Sequence, residues 1–242
     1  MSASATDRKS FRDAARVLSS VLSPLEKRVL LFLASRMPAR INSDHLTGLA
    51  LVAMLGAGFA FWAAGTWPAC VVLVVVCLAL NWFGDSLDGT LARVRKHERP
   101  RYGYYVDHMV DMFGMLFLFG GLALSGYMNP LLALGLVVAY LMMSIEVYLA
   151  AHVLGQFQIT YLMMGPTELR IVLSIGALWL LVKPNVIILG HAFRLFDVGG
   201  AVAIVGLLMI LVMTTVAHTR ALYIAEPIKG PRVPGSEGSG AA

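Results

Sequence analysis

Apolar positions in this chain come in long unbroken runs rather than in narrow stripes. Six runs approach the roughly 20 residues a helix needs to cross a bilayer core. They cover 47–66, 69–91, 104–125, 130–152, 168–190 and 199–218. Breaks fall at Gly65–Pro68, "RVRKHERPR", "GYMNP", "GQFQITYLMMGP" and "PNVIILGHAFRLFD", and Lys183 and Pro184 interrupt the fifth run. Residues 9–36 alternate differently. Arg8, Lys9, Arg12, Arg16, Lys27 and Arg28 are interleaved with Phe11, Val17, Leu18, Val21, Leu22, Leu25 and "VLLFLA", and Pro24 divides the stretch. This pattern predicts a basic amphipathic helix in the membrane interface; a helix packed on the domain in water fits it equally.

The expected architecture is therefore an all-α integral membrane protein, with six transmembrane helices and an N-terminal amphipathic interfacial helix. Residues 1–40 form the basic interfacial region, 41–222 the transmembrane domain, and 223–242 a flexible tail rich in Gly, Pro and Ser. The sequence contains no internal repeat and no sign of a second domain.

Composition supports the membrane reading where length cannot. The 242 residues are 58% hydrophobic and only 14% charged, with mean hydropathy +0.76, whereas soluble domains carry about 25% charged residues. The opening "MSASATDRKSFRDAARVLSS" holds no continuous apolar core, so no cleavable signal peptide is expected. Cys70 and Cys77 lie in an apolar run without Cys or His partners at zinc spacing, and read as small helix residues.

Charge sets the orientation. Of the 19 Lys and Arg residues, 13 lie in 1–40 and 93–101, which six spans put on one side of the membrane. Arg220, Lys229 and Arg232 follow on that side, against Lys183 and Arg194 opposite. The positive-inside rule then predicts cytoplasmic termini and a cytoplasmic loop after the second span, in a bacterial inner or plasma membrane. The net charge of +5 reflects this topology. No basic face interleaved with aromatics points to nucleic acid.

Against this background "NWFGDSLDGTLARVRKHERPRYGYYVDHMVDMF", residues 81–113, is anomalous, because Asp85, Asp88, Asp107 and Asp111 stand near the ends of membrane-length helices. On a helix turning about 100° per residue, Asp85, Asp88, Gly89, Ala92 and Arg93 share one face, and Gly103, Asp107 and Asp111 share another. A short loop joins the two runs, so both faces can converge at the cytoplasmic end. An ionised Asp near mid-bilayer costs about 2.5–3.5 kcal/mol, less toward the interface, and four converging carboxylates repel. Two divalent cations would cancel their charge. Oxygen ligands without Cys or clustered His favour Mg²⁺ or Mn²⁺. Gly89, Ala92 and Gly103 leave room beside the metals, and Arg93 offers a planar fork for phosphate. Together these features predict a phosphoryl-transfer site. A single Asp at a helix end would read as an interface charge or a cap. Four at i,i+3 and i,i+4 spacing, with glycines between, do not.

The pattern D-x₂-D-G-x₂-A-R-x₉-G-x₃-D-x₃-D, filled by Asp85, Asp88, Gly89, Ala92, Arg93, Gly103, Asp107 and Asp111, resembles the signature of the CDP-alcohol phosphotransferase family at every fixed position. "INSDHLTGLAL" is similar to the family's usual Pro-Asn-x-x-Thr start of the first span, with Ser43 where proline is common. The resemblance implies that Asp85, Asp88 and Asp107 hold two metal ions, with Asp111 a shared ligand and the general base. It implies nucleotide contacts at Asp88, Gly89, Ala92, Arg93 and Gly103, with Arg93 on the pyrophosphate. An acceptor hydroxyl would attack the CDP phosphorus distal to cytidine, releasing CMP. The family also suggests a homodimer.

Acceptor choice is less legible. Glu146, Glu168 and Arg170 fall toward the same end of the fourth and fifth spans. Arg170 could take a phosphate or carboxylate and the glutamates a hydroxyl or amine; equally, they could form an internal Glu–Arg pair and a helix cap. His108 faces away from the acidic face, and Tyr102, Tyr104 and Tyr105 resemble an aromatic belt. Three functions result. The first is an enzyme joining CDP-diacylglycerol to a small polar alcohol, which the scarcity of basic residues near Arg170 suggests is not phosphorylated. The second donates from CDP-choline or CDP-ethanolamine to diacylglycerol. The third is a divalent-cation transporter, which predicts acidic residues spread through the membrane depth.

Overall fold

The computed structural model describes residues 15–17, 23–154, 156–158 and 165–228. Helix α1 (Ser23–Arg36) precedes α2 (Ser43–Ala64); a short 3₁₀ turn, Pro68–Cys70, leads into α3 (Val71–Arg95). Then come α4 (Pro100–Leu124), α5 (Pro130–Leu154), α6 (Pro166–Trp179) and α7 (Leu195–Ala225). Prolines open α4, α5 and α6, where a missing N–H costs nothing. Asn42 caps α2: its side chain accepts from the His45 amide, and the His45 ring accepts from the Asn42 amide.

Helices α2, α3 and α4 form the centre of the bundle, and glycines let them approach. A Cβ on Gly58 would collide with the Phe117 carbonyl, one on Gly121 with the Gly58 backbone, and one on Gly84 with the Leu46 carbonyl. The main core gathers Phe61, Leu78, Leu118, Leu122 and Met128 with Ala177 and Phe196. At the far end Asp197 accepts from the Asn129 amide at 2.6 Å, tying the start of α7 to the start of α5. At the other end Arg95 donates to the carbonyls of Met37, Pro38 and Ile41, fixing the α1–α2 connection onto the end of α3.

Five helices, not six, are long and apolar enough to cross a membrane among the described residues: Ser43–Ala64, Pro68–Arg95, Pro100–Leu124, Pro130–Leu154 and Leu195–Ala225. The run expected at 168–190 contains the 14-residue α6, only about 21 Å long at 1.5 Å per residue. Past Pro184 the chain forms a hairpin of β3 (Asn185–Ile188) and β4 (His191–Arg194), turning through Leu189 and Gly190 at φ 52° and 84°. The apolar "NVII" reads as span when hydropathy alone is followed, yet it forms a strand.

The N-terminal expectation also changes. Helix α1 covers Ser23–Arg36, with Pro24 near the start of its described residues. Ala15–Val17 are extended and pair in parallel with Gln156–Gln158; the rest of the stretch before Ser23 lies outside the described residues. Leu30 and Ala34 of α1 pack on Leu46, Leu87 and Leu91, while Leu25, Val29, Leu31 and Phe32 stay exposed. The last helix reaches Ala225, and the tail from 229 onward lies outside the described residues.

Candidate metal and phosphoryl-transfer site

The site is built between α3 and α4, which both pack on α2 and turn carboxylates toward each other. Buried Asn81 donates to the Ala50 carbonyl at 3.1 Å, pinning α3 against α2 one turn before Asp85. Gly84 makes that approach possible, since any side chain there would strike α2. Helix α4 enters from the opposite side, and carboxylate oxygens of Asp85, Asp107 and Asp111 come within 4.8 Å of one another, all three residues partly buried. The two predicted faces thus converge. Three carboxylates this close repel unless something positive joins them, and an all-oxygen donor set fits a hard divalent ion.

Asp88, one turn beyond Asp85, is not in that group of three. Its Oδ2 accepts from Thr47 Oγ1 of α2 at 2.5 Å. Thr47 was visible in the sequence only as part of the span's opening motif; its bond to Asp88 explains physically why a hydroxyl stands there.

Arg170 of α6 brings a cation to the cluster. Its Nη2 donates to Asp85 Oδ2 at 2.6 Å and its Nε to Asn81 Oδ1 at 2.7 Å, and both side chains of the ion pair are largely buried. Its Nη1 is buried without a hydrogen-bond partner among the described residues. Asn81 was not singled out in the sequence, although an amide ending the run "ACVVLVVVCLAL" was the available signal. On the α5 side, Tyr140 and Tyr148 bring their phenols near Asp111, with buried Ser144 beside both.

The small positions behave differently from the packing glycines. A Cβ at Gly103 would meet nothing within 4 Å, and one at Gly89 only the Arg93 guanidinium, at 3.5 Å and beyond. Arg93 lies over that glycine, donating from Nη2 to Thr90 Oγ1 at 3.2 Å. Ala92 is on the same helix, partly buried. Nearby, Arg99 pairs with Asp44 and stacks over the exposed Tyr102 ring at 4.1 Å.

The two glutamates go elsewhere. Glu168 accepts from the Gly165 amide at 3.0 Å, closing the first turn of α6. Glu146 Oε1 meets His218 Nδ1 of α7 at 2.6 Å, and its Oε2 is buried without a partner. By helical period it projects from the face of α5 opposite Tyr140, Ser144 and Tyr148. His108 is buried against Tyr104 and Tyr148, at ring distances of 4.2 and 4.8 Å.

Comparison with known proteins yields one finding and one blank. A family model described as CDP-alcohol phosphatidyltransferase matches residues 41–224, well over half the chain and all the residues of the acidic cluster. No curated protein matches.

Proposed function

Since the chain belongs to the CDP-alcohol phosphatidyltransferase family, we propose that it makes a phospholipid from CDP-diacylglycerol and a small polar alcohol, releasing CMP. The family implies transfer of a phosphate-linked group from a CDP-alcohol at a membrane; the donor, acceptor and residue roles are the proposal. The observation that carries it is the convergence of Asp85, Asp107 and Asp111 from two helices onto one point, with an open face at Gly103 and only the Arg93 guanidinium over Gly89.

Asp85, Asp107 and Asp111 would hold divalent metal, Mg²⁺ or Mn²⁺, with Asp88 as the further carboxylate, oriented by Thr47. Such ions, when bound, would offset the carboxylate charge, polarise the pyrophosphate and acidify the attacking hydroxyl. The pyrophosphate would lie along α3, with Arg93 donating to its oxygens and the nucleotide passing over Gly89, Ala92 and Gly103. The acceptor oxygen bonds to the phosphorus distal to cytidine as the bond from that phosphorus to the CMP oxygen breaks. Asp111 takes the proton. Tyr140 and Tyr148 of α5 would stand on the side of the cluster nearest Asp111. A sixth crossing made by α6 and the turn after it, with the β3–β4 hairpin outside the hydrocarbon core, would leave the site and both termini cytoplasmic, in a homodimer.

Arg170 is engaged by Asp85 and Asn81 and has only Nη1 unpartnered. That leaves less cationic capacity than a phosphorylated acceptor calls for, which favours a neutral or zwitterionic alcohol. Asp85, Asp107 and Asp111 converge on one point rather than spreading through the depth of the bundle, which disfavours an ion path. The test is CMP release from CDP-diacylglycerol with Mg²⁺ against serine, inositol, inositol phosphate, glycerol phosphate, choline and ethanolamine, beside CDP-choline with diacylglycerol. Release with one unphosphorylated alcohol supports the proposal. Release only from CDP-choline overturns the donor assignment, and none in any arm overturns the activity.

A further inference from the structure

Glu26 of α1 stands outside the family-matched segment, yet it holds two helices of the site. A single oxygen, Oε1, accepts from Trp82 Nε1 at 2.7 Å, Ser86 Oγ at 3.2 Å and Thr167 Oγ1 at 2.7 Å. Trp82 and Ser86 are one helical turn apart on α3, three residues before and one after Asp85. Thr167 lies in the first turn of α6, three residues before Arg170. The Asn81–Arg170 and Asp85–Arg170 bonds run beside these on the same pair of helices. Helices α3 and α6 are thus joined by two parallel rungs: the guanidinium of Arg170 forms one and the carboxylate of Glu26 the other.

Removing one rung leaves the other, with the packing of α6 on α3, to set the spacing. Bonds to an ionised acceptor are about twice as strong as neutral ones, so the outer rung weighs heavily on how α6 meets α3. Arg170 orients the Asp85 carboxylate, and partners of this kind hold a metal ligand in its productive rotamer.

We infer that Glu26 is a positioning residue, which fixes α6 against α3 so that Arg170 presents the Asp85 carboxylate to the metal site. The inference rests on the reading of Asp85, Asp107 and Asp111 as metal ligands. It makes the helix that precedes the catalytic bundle part of the site's support rather than only a membrane attachment.

The experiment is Mn²⁺ binding without substrate, read from the free-ion electron paramagnetic resonance signal, on purified full-length protein in detergent. Glu26→Ala is expected to weaken binding about tenfold, the lower range for loss of a ligand-orienting partner. Glu26→Gln, whose neutral amide oxygen still accepts but more weakly, should keep more of the binding than Glu26→Ala does. Thr167→Val removes the α6 bond alone and should shift binding the same way, with Thr167→Ser restoring it; this pair decides the matter should Glu26→Ala fail to fold. A thermal unfolding midpoint is taken for each variant. Variants that lose stability but bind Mn²⁺ like the native protein make Glu26 merely structural and overturn the inference. Glu26→Gln as impaired as Glu26→Ala overturns it as well. A native protein that binds no Mn²⁺ overturns the metal-site reading and Glu26's role with it.

Discussion

Arg170 Nη2 lies 2.6 Å from Asp85 Oδ2 while its Nε lies 2.7 Å from Asn81 Oδ1, so one guanidinium joins a candidate metal ligand to the amide that pins α3 on α2. Only a planar fork reaches both acceptors at once. A lysine ammonium is a point charge on a flexible stem and cannot reproduce that geometry. Arg170→Lys is accordingly expected to lower kcat/KM about 10–100-fold, with a raised metal requirement, as second-layer substitutions at metal sites do. Steady-state CMP release across a Mg²⁺ titration measures this, and an unchanged metal requirement would refute the orienting role.

The glycines divide into two kinds, and substitution should separate them. At Gly58 an added methyl would strike the Phe117 carbonyl, whereas at Gly103 it would meet nothing within 4 Å. Gly58→Ala is expected to destabilise the α2–α4 crossing by about 1–3 kcal/mol, the usual cost of overpacking. Gly103→Ala should fold normally and instead raise the KM for the CDP substrate. Thermal unfolding in detergent, paired with donor-dependence kinetics, distinguishes the two. A normal donor KM in Gly103→Ala would remove that glycine from the nucleotide path.

What the sequence revealed depended on how local the cause was. The acidic faces of α3 and α4 followed from helical period alone, because residues one turn apart must share a face whatever else the chain does. The partners of those faces did not. Thr47 reaches Asp88 from 41 residues away, and Thr167 reaches Glu26 across 141, so only tertiary packing brings them together. The fifth span misled for a different reason. Hydropathy measures what a segment avoids, not its period, and "NVIILGHAFR" is as apolar in a hairpin as in a helix.

Glu146 and His218 form a tie between α5 and α7, directed away from Tyr140, Ser144 and Tyr148. Glu146→Ala is therefore expected to cost about 1–3 kcal/mol of stability, as loss of a buried hydrogen-bond partner does, while leaving the acceptor KM unchanged. Unfolding midpoints together with acceptor titrations check this. A large rise in acceptor KM at unchanged stability would return Glu146 to the acceptor site.

Asp111 is a member of the carboxylate cluster and, in the proposed reaction, the group that takes the acceptor's proton. The most direct measurement is single-turnover CMP release from CDP-diacylglycerol by native protein and Asp111→Asn, each with Mg²⁺ and with chelator, alongside binding of the CDP substrate. Release by the native protein is expected to require metal. In Asp111→Asn, release should fall at least about 100-fold, the lower bound for general-base loss, with nucleotide binding largely retained. Release that survives chelation, or turnover at the native rate in Asp111→Asn, would contradict the proposed reaction.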